Sequence, residues 1–504
     1  MLKKIGTAFL WFIAIFMLSS VTIFNPGQVT DFFVKLFNIQ PSIPELKAVV
    51  ITERDREIKR TADAISTEEI RQTLETLTTR GSRVPGYPGH EKAFQFIKSE
   101  FERLGFSEID VETYNVTVPV DQGATVTLES GGQLDMYSLW PNHVQTSTLP
   151  SAGLTGQIVY GGKGTFGELN GRPMVGSIVL LDFDCGQNYF NPRMLGAAAV
   201  VFFDNGRVTQ GEAQDKFLLV PADLPRFWVE KEDAQVLLEA AKAQTNVTLK
   251  ARMTWEEVPA WNLIATLDGV DEYITERQER KWKDQVIVLS SFYDAISVVP
   301  ALAPGAENAT GIMALLETAK ALKANPPNYT VKFLATGAHF QGLRGVIDFL
   351  YKHSRESDFW RERIPESEKI DFRLFIGLDM SSESDQIASF SHGTFNNNYW
   401  KTDNYLNNLL APYAEKFDDY LARVYPDESR HVDAIAPPKR TWKNFMPVRL
   451  GFDSEMVTLV GKEGITIAAP STGRRYVDTP NDNLANINLE NLRKQTQSLV
   501  GALI

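Results

Sequence analysis

The stretch TVKFLATGAHFQGLRGV, residues 330–346, decides how this chain is read. Val331, Phe333 and Ala335 alternate as in a strand that runs into the Gly337 turn. His339-Phe340 and then Gln341-Gly342-Leu343 follow. The same order of strand, turn and helix extends outward on both sides. QVIVLSS (285–291) reads as a buried strand. ATGIMALLETAKAL (309–322) reads as a helix with Ile312, Leu315, Leu316, Ala319 and Leu322 on one stripe. RLFIGLD (373–379) is a further strand. From PAWNLIATLDG (259–269) onward this alternation predicts an α/β fold, a sheet flanked by helices.

In such sheets ligands sit beyond the carboxyl ends of the strands. Phe292, Tyr293 and Asp294 follow the strand at 285–291, and Glu307 and Asn308 precede the helix at 309–322. His339 and Phe340 follow the next strand, Asp379 ends another, and Asp478 and Asp482 stand in RRYVDTPNDN (474–483). Taken singly, Glu307 reads as a helix-start acid favoured by the dipole, and Asp379 and Asp478 as turn residues. Taken together, acids at successive strand ends predict a carboxylate-lined cleft.

Upstream, GSRVPGYPGHEKAFQFIKSEFERLGF (81–106) places Gly/Pro turns before a helix whose Phe94, Ile97, Phe101 and Leu104 share a face. His90, just before that face, reads as a surface or capping-region histidine. Residues 115–258 are short β-like runs broken by Gly and Pro, with one helix at 231–243, and predict a compact β-rich domain. Residues 29–65 read as a stalk.

The chain has 504 residues, more than one core usually serves. Its net charge of −12 argues against nucleic-acid binding, which needs clustered Lys and Arg. The single cysteine, Cys185, permits no intrachain disulfide and reads as a small apolar filler rather than a nucleophile. Lys3 and Lys4 precede a stretch without charge from Ile5 to Phe24, long enough to cross a hydrocarbon core. An uncleaved anchor within 1–28 is favoured over a signal peptide, with the lysines cytoplasmic and the bulk of the chain extracytoplasmic: periplasmic, extracellular or lumenal. DFFVKLF (31–37) reads either as a membrane-surface segment or as an ordinary amphipathic helix. Asn-x-Ser/Thr triplets at Asn115, Asn246, Asn308 and Asn328 are short enough to arise by chance.

From residue 66 to the end the chain resembles the M28 family of zinc peptidases, the aminopeptidase and glutamate-carboxypeptidase relatives. The resemblance rests on GSRVPGYPG, WNLIATLDG, VIVLSSFYDA with PGAENATGIMALLE, FLATGAHFQGLRG, GLDM and YVDTPNDNLANI, in that order. It implies an M28-type mixed sheet over 66–114 and 259–504. Residues 150–255 resemble a protease-associated (PA) domain, implying a PA-like insertion over 115–258.

In the active family two zinc ions share a bridging Asp, each has a His and a further carboxylate, and a separate Glu is the general base. Carried onto this sequence, the resemblance puts Phe292 at the first ligand His and Phe340 at a ligand Glu. Glu307 stands at the bridging Asp, and Asp478 at the last ligand His. Asp379 is retained as a ligand. His339 takes the base position, and Asp294 survives as the residue that orients the missing His. Two readings follow. One is a membrane-anchored, non-catalytic binding or scaffolding ectodomain with a degenerate dizinc site and a protein or peptide partner, as a homo-oligomer or in a membrane complex. The other is an atypical metallo-aminopeptidase in which Glu307, Asp379 and Asp478 hold one harder divalent metal, with His339 as ligand or base. His392 and His431 could enter such a set from loops, but no spacing supports it.

Overall fold

The computed structural model describes residues 51–270, 282–354, 369–390, 416–426, 428, 430–432, 451–470 and 472–504. The expected anchor and the first part of the expected stalk lie outside the described residues, as does His392. Among the described residues no helix is long and apolar enough to cross a membrane.

The chain opens with helices α1 (Glu53–Asp63), α2 (Thr67–Thr78) and α3 (Pro88–Arg103). Then come strands β1 (Ile109–Leu128), β2 (Gln133–Ser138), β3 (Leu154–Tyr160), β4 (Ile178–Asp182), β5 (Ala199–Phe203) and β6 (Arg226–Val229). Helix α4 (Lys231–Lys242) leads into the long strand β7 (Asn246–Leu267). The second half alternates β8 (Val286–Phe292), α5 (Thr310–Ala324), β9 (Thr330–Thr336), α6 (Arg344–His353) and β10 (Phe372–Asp379). It closes with β11 (Ile387–Phe390), β12 (His431–Val432), α7 (Asp453–Leu459), β13 (Gly464–Ala468) and α8 (Leu489–Leu503).

The strands form one mixed sheet in the order β1-β2-β6-β5-β4-β3-β7-β9-β8-β10-β13-β11-β12. Strands β9, β8, β10 and β13 are parallel neighbours, which requires crossover helices, and α5 and α6 are such crossovers. Strand β7 borders them antiparallel to β9. Because β1 also pairs with β7, the pairings β1-β2-β6-β5-β4-β3-β7 close into a ring. Val126, Ile158, Leu180, Val201, Phe227 and Leu249 cluster in a core of that ring. Strands β1 and β7 pair from Ile109–Ala265 to Leu128–Val247, with a register shift between Asp121 and Ala124. The sequence boundaries at 114/115 and 258/259 therefore fall inside paired strands.

Helix α5 is buried nearly all round, from Thr310 through Ala319. Its apolar residues share one core with Phe94, Ile97 and Phe101 of α3 and with Leu289, Phe333 and Leu378 of the sheet. Each such side chain contributes about 1.5–3 kcal/mol by leaving water. Residues 51–65, read from sequence as the end of a stalk, mostly form α1, which is packed down. Ile58 and Ala62 are buried, and Asp55 meets Arg423 at 3.0 Å.

One expectation is corrected. His90 is fully buried rather than at the surface, stacked against Tyr293 and Trp261 with ring centroids 5.0 and 5.6 Å away. The first turn of α3 is covered by β7 and by the loop after β8, a tertiary fact that local pattern does not contain. Nearby, the buried Arg83 donates to the carbonyls of Tyr293, Pro304 and Gly305 at 2.9, 2.6 and 2.7 Å. It thereby ties the GSR turn to the loop between β8 and α5.

Candidate ligand pocket at the strand ends

The carboxyl ends of β8, β9 and β10 converge with the loop 472–482 on a cavity of about 320 Å³. Phe292, His339, Phe340, Asp379, Arg474 and Asp478 all line it. Phe217, Gln210 and Gln214 reach it from the strand-ring lobe. A larger groove of about 530 Å³ lies by Pro326, Pro327 and Ile504, where the chain enters β9, and bears none of this chemistry.

The β9 end is shaped by close packing. Ala338 and Leu343 both take positive φ, 57° and 60°, which a non-glycine residue keeps only where tertiary contacts hold it. Tyr114 supplies one such contact, donating 2.8 Å to the Gly337 carbonyl. A Cβ on Gly345 would lie 2.3 Å from that same carbonyl oxygen and 2.8 Å from Asn262 Oδ1, so only glycine fits. The loop sets His339 against Phe292 in a stack with centroids 4.1 Å apart, and Phe340 packs edge-on against both rings.

His339 Nδ1 lies 2.9 Å from Asp453 Oδ1, and Thr336 donates to the other Asp453 oxygen at 3.0 Å. Burial alone would depress this imidazole, but Asp453, with Asp294 and Asp379, outweighs it and raises its pKa. Asp294 accepts 3.3 Å from the Phe340 amide, and its other oxygen has no partner among the described residues. Burial pushes Asp294 up to about 6 against the pull of His339.

The other three predicted acids are held separately. Glu307 accepts from the Ser382 amide at 2.7 Å and from the Ser381 hydroxyl; burial raises its pKa despite these bonds and Arg474. Asp379 accepts 2.7 Å from Arg474 Nη1, while Arg474 Nη2 donates 3.0 Å to the Asp379 carbonyl. Asp478, at φ 69°, accepts 2.5 Å from Gln214 and is pushed up to about 6 by burial. The three do not form one open ligand set. Among the described residues, no group of three or more His, Cys, Asp or Glu is arranged to hold a metal ion.

Sequence reasoning passed over the residues that organise this pocket. Arg474 was visible in RRYVDTPNDN, but nothing local marks it as buried. It is 2% exposed with φ 45°, and its backbone is clamped. The Glu383 carboxylate accepts from the amides of Gly473, Arg474 and Arg475 at 2.8, 2.8 and 2.6 Å. Asp453, far from His339 in sequence, gave no signal either. Nor did Gln214, in the short helix Gln210–Gln214 of the other lobe.

Residues 272–503 match the family model for peptidase family M28. That stretch, just under half of the chain, is similar to the M28 peptidases. Aminopeptidase YwaD of Bacillus subtilis (strain 168) is 25% identical over 338 residues, which cover 65% of this chain and 66% of that protein. The match thus spans just under two thirds of the relative's length. Among solved structures, the peptidase M28 precursor from Shewanella amazonensis SB2B superposes with a TM-score of 0.53. It is 17% identical, with 89% of this chain and 96% of that one covered. BSAP, a zinc aminopeptidase from Bacillus subtilis, gives 0.51 at 17% identity, covering 87% and 94%. At these identities the two structures speak to the fold alone. The mixed sheet flanked by helices is the fold expected of the family.

Proposed function

We propose that this chain is an M28 peptidase-like protein whose dizinc site is degenerate, and that it serves as a binding or scaffolding ectodomain for a protein or peptide partner. The observation that carries this reading is the Arg474–Asp379 pair. A guanidinium 2.7 Å from the one retained carboxylate takes the oxygen that a metal would need and adds a positive charge where a metal would enter. Phe292 and Phe340, at two ligand positions by resemblance to the family, have no donor atoms, so the residues present do not fit a zinc pair. With Phe217 they give the cavity an aromatic lining, which suits an apolar or aromatic group of a bound polypeptide. The same reading takes the strand-ring lobe as a PA-like domain and the N-terminal stretch as a membrane anchor that leaves the rest extracytoplasmic.

One observation favours the second reading, an atypical metallo-aminopeptidase. His339, oriented by Asp453 and facing the cavity, has the form of a general base. The deciding experiment is a panel of aminoacyl fluorogenic substrates with Zn²⁺, Mn²⁺, Mg²⁺ and Ca²⁺, on wild type and Asp379→Ala. The binding reading expects no metal-dependent turnover from either protein. Metal-dependent turnover that Asp379→Ala abolishes would overturn it. Co-purification of a stable partner with the full chain supports it.

A further inference from the structure

We propose that Arg474 is the resident cation of this site, an internal guanidinium that supplies the positive charge its buried acids need, so that the pocket keeps its shape with no metal ion. The inference rests on the reading above that the site has left dizinc chemistry, and it assigns the residue that made the change stable.

Asp379 and Glu307 are 6% exposed each, at the end of β10 and before α5. Carboxylates so placed need an opposite charge, or they protonate. Arg474 answers Asp379 by contact and Glu307 only in part. It binds Asp379 directly, and its charge opposes the rise that burial imposes on Glu307. Among the described residues, no lysine or second arginine lines this cavity.

The backbone is built to put it there. Arg474 sits at φ 45°, a conformation that costs about 1–3 kcal/mol for a residue with a side chain. Three successive amides of Gly473, Arg474 and Arg475 turn toward Glu383, and that carboxylate offsets the strain. Glu383 and Asp379 are only four positions apart in the chain. One short segment therefore grips the arginine twice, by its backbone and by its side chain. Glu383 is the positioning residue and Arg474 the charge.

Arginine suits this role better than lysine. Its two donors reach the Asp379 carboxylate and the Asp379 carbonyl together, at 2.7 and 3.0 Å, a fork that an ammonium cannot match. It also stays protonated when buried.

The test uses full-length protein and reads thermal unfolding with and without added Zn²⁺ or Mn²⁺, and with a chelator. Wild type is expected to give one Tm under all of these conditions. Arg474→Met removes the charge and lowers Tm by roughly 5 °C. It also gains what wild type lacks, a rise in Tm with added divalent metal, because its acids are now without a cation. A role in packing alone would not create that response. Arg474→Lys recovers part of the loss. Arg474→Met with Asp379→Asn recovers at least half, since the unpaired acid has gone too. Should Arg474→Met fail to fold, the double variant and the wild-type metal titration still decide. A wild-type Tm that rises with zinc, or losses for the two substitutions that simply add, would overturn the inference. Failure of the inference by additive losses leaves the turnover assay unaffected. Metal-dependent turnover would sink the binding reading without touching the coupling between Arg474 and Asp379.

Discussion

Replacing His90 by Phe should change how this protein responds to acid. His90 is fully buried between Tyr293 and Trp261, and neither ring nitrogen has a hydrogen-bond partner among the described residues. Burial, with Arg83 adding to it, drops its pKa from 6.5 to about 3. Folding therefore keeps this imidazole neutral where the unfolded chain would protonate it. Above pH 6.5 both states are neutral and the group adds no pH dependence. Between 6.5 and about 3 the unfolded state binds the extra proton, and stability falls by about 1.4 kcal/mol per pH unit. At pH 5 the loss is about 2 kcal/mol relative to pH 7. Phe keeps the aromatic stack and cannot titrate. The buried acids Asp294 and Asp478, at about 6, and Asp482, at about 7, work in the opposite direction, since the folded state binds their protons first. Their effect is common to both proteins and cancels in the comparison, as does any constant offset from the larger ring. Urea unfolding of wild type and His90→Phe at pH 7 and pH 5 gives the difference directly. The variant should lose about 2 kcal/mol less than wild type over that interval. Equal losses would refute the reasoning, because they would mean that His90 does not resist protonation in the folded state.

Other perturbations test other parts of the structure. Glu383→Gln weakens three amide contacts to the Arg474 loop at a site reached by water; it should cost about 1–2 kcal/mol, read by denaturant unfolding, with secondary structure by circular dichroism unchanged. Gly345→Ala drives a Cβ to 2.3 Å from the Gly337 carbonyl oxygen and should cost about 3 kcal/mol or more, or abolish soluble expression. Glu112 has its pKa lowered despite burial, through His353 and Asn262, so its stabilisation is present above the ordinary glutamate range and lost as pH falls through the lowered value. Glu112→Gln should therefore be less stable than wild type at pH 7, with the gap closing toward pH 3, as followed by thermal unfolding across that range. Returning donors to the pocket with Phe292→His and Phe340→Glu should yield no tight zinc binding by mass spectrometry while Arg474 remains paired with Asp379.

The regular elements around the pocket were legible because their signals are local. The runs at 285–291, 330–335 and 373–379 became β8, β9 and β10, and the apolar stripe from Ile312 to Leu322 became the buried face of α5. The strand ends carried the expected site residues for the same reason: a strand's direction fixes where its last side chains go. Side-chain partners were not legible. Asp453 meets His339 across more than a hundred residues, and Gln214 reaches Asp478 from another lobe. His90 was misjudged because an imidazole at a helix start looks alike whether or not a strand later covers it. Arg474 was passed over because charged residues are almost always exposed, and it is the pairing with Asp379, with the backbone clamped by Glu383, that makes its burial tolerable.

The long ribbon of β1 and β7 bears on how such a protein can change. Its pairing runs from the parallel sheet into the strand ring, from Ile109–Ala265 to Leu128–Val247, broken only by the register shift between Asp121 and Ala124. The ring is thus a continuation of the scaffold and cannot be lifted out as a cassette. A graft that cut near residues 115 and 258 would sever two strands in mid-ladder and expose a row of unpaired amides on each side. Crossover points for chimaeras belong at loops away from this ribbon. By the same logic the wall carrying Gln210 and Gln214 is held in register with the strand ends it faces. Descendants of this chain are free to retune the pocket by substitution there, but not to trade the wall for another.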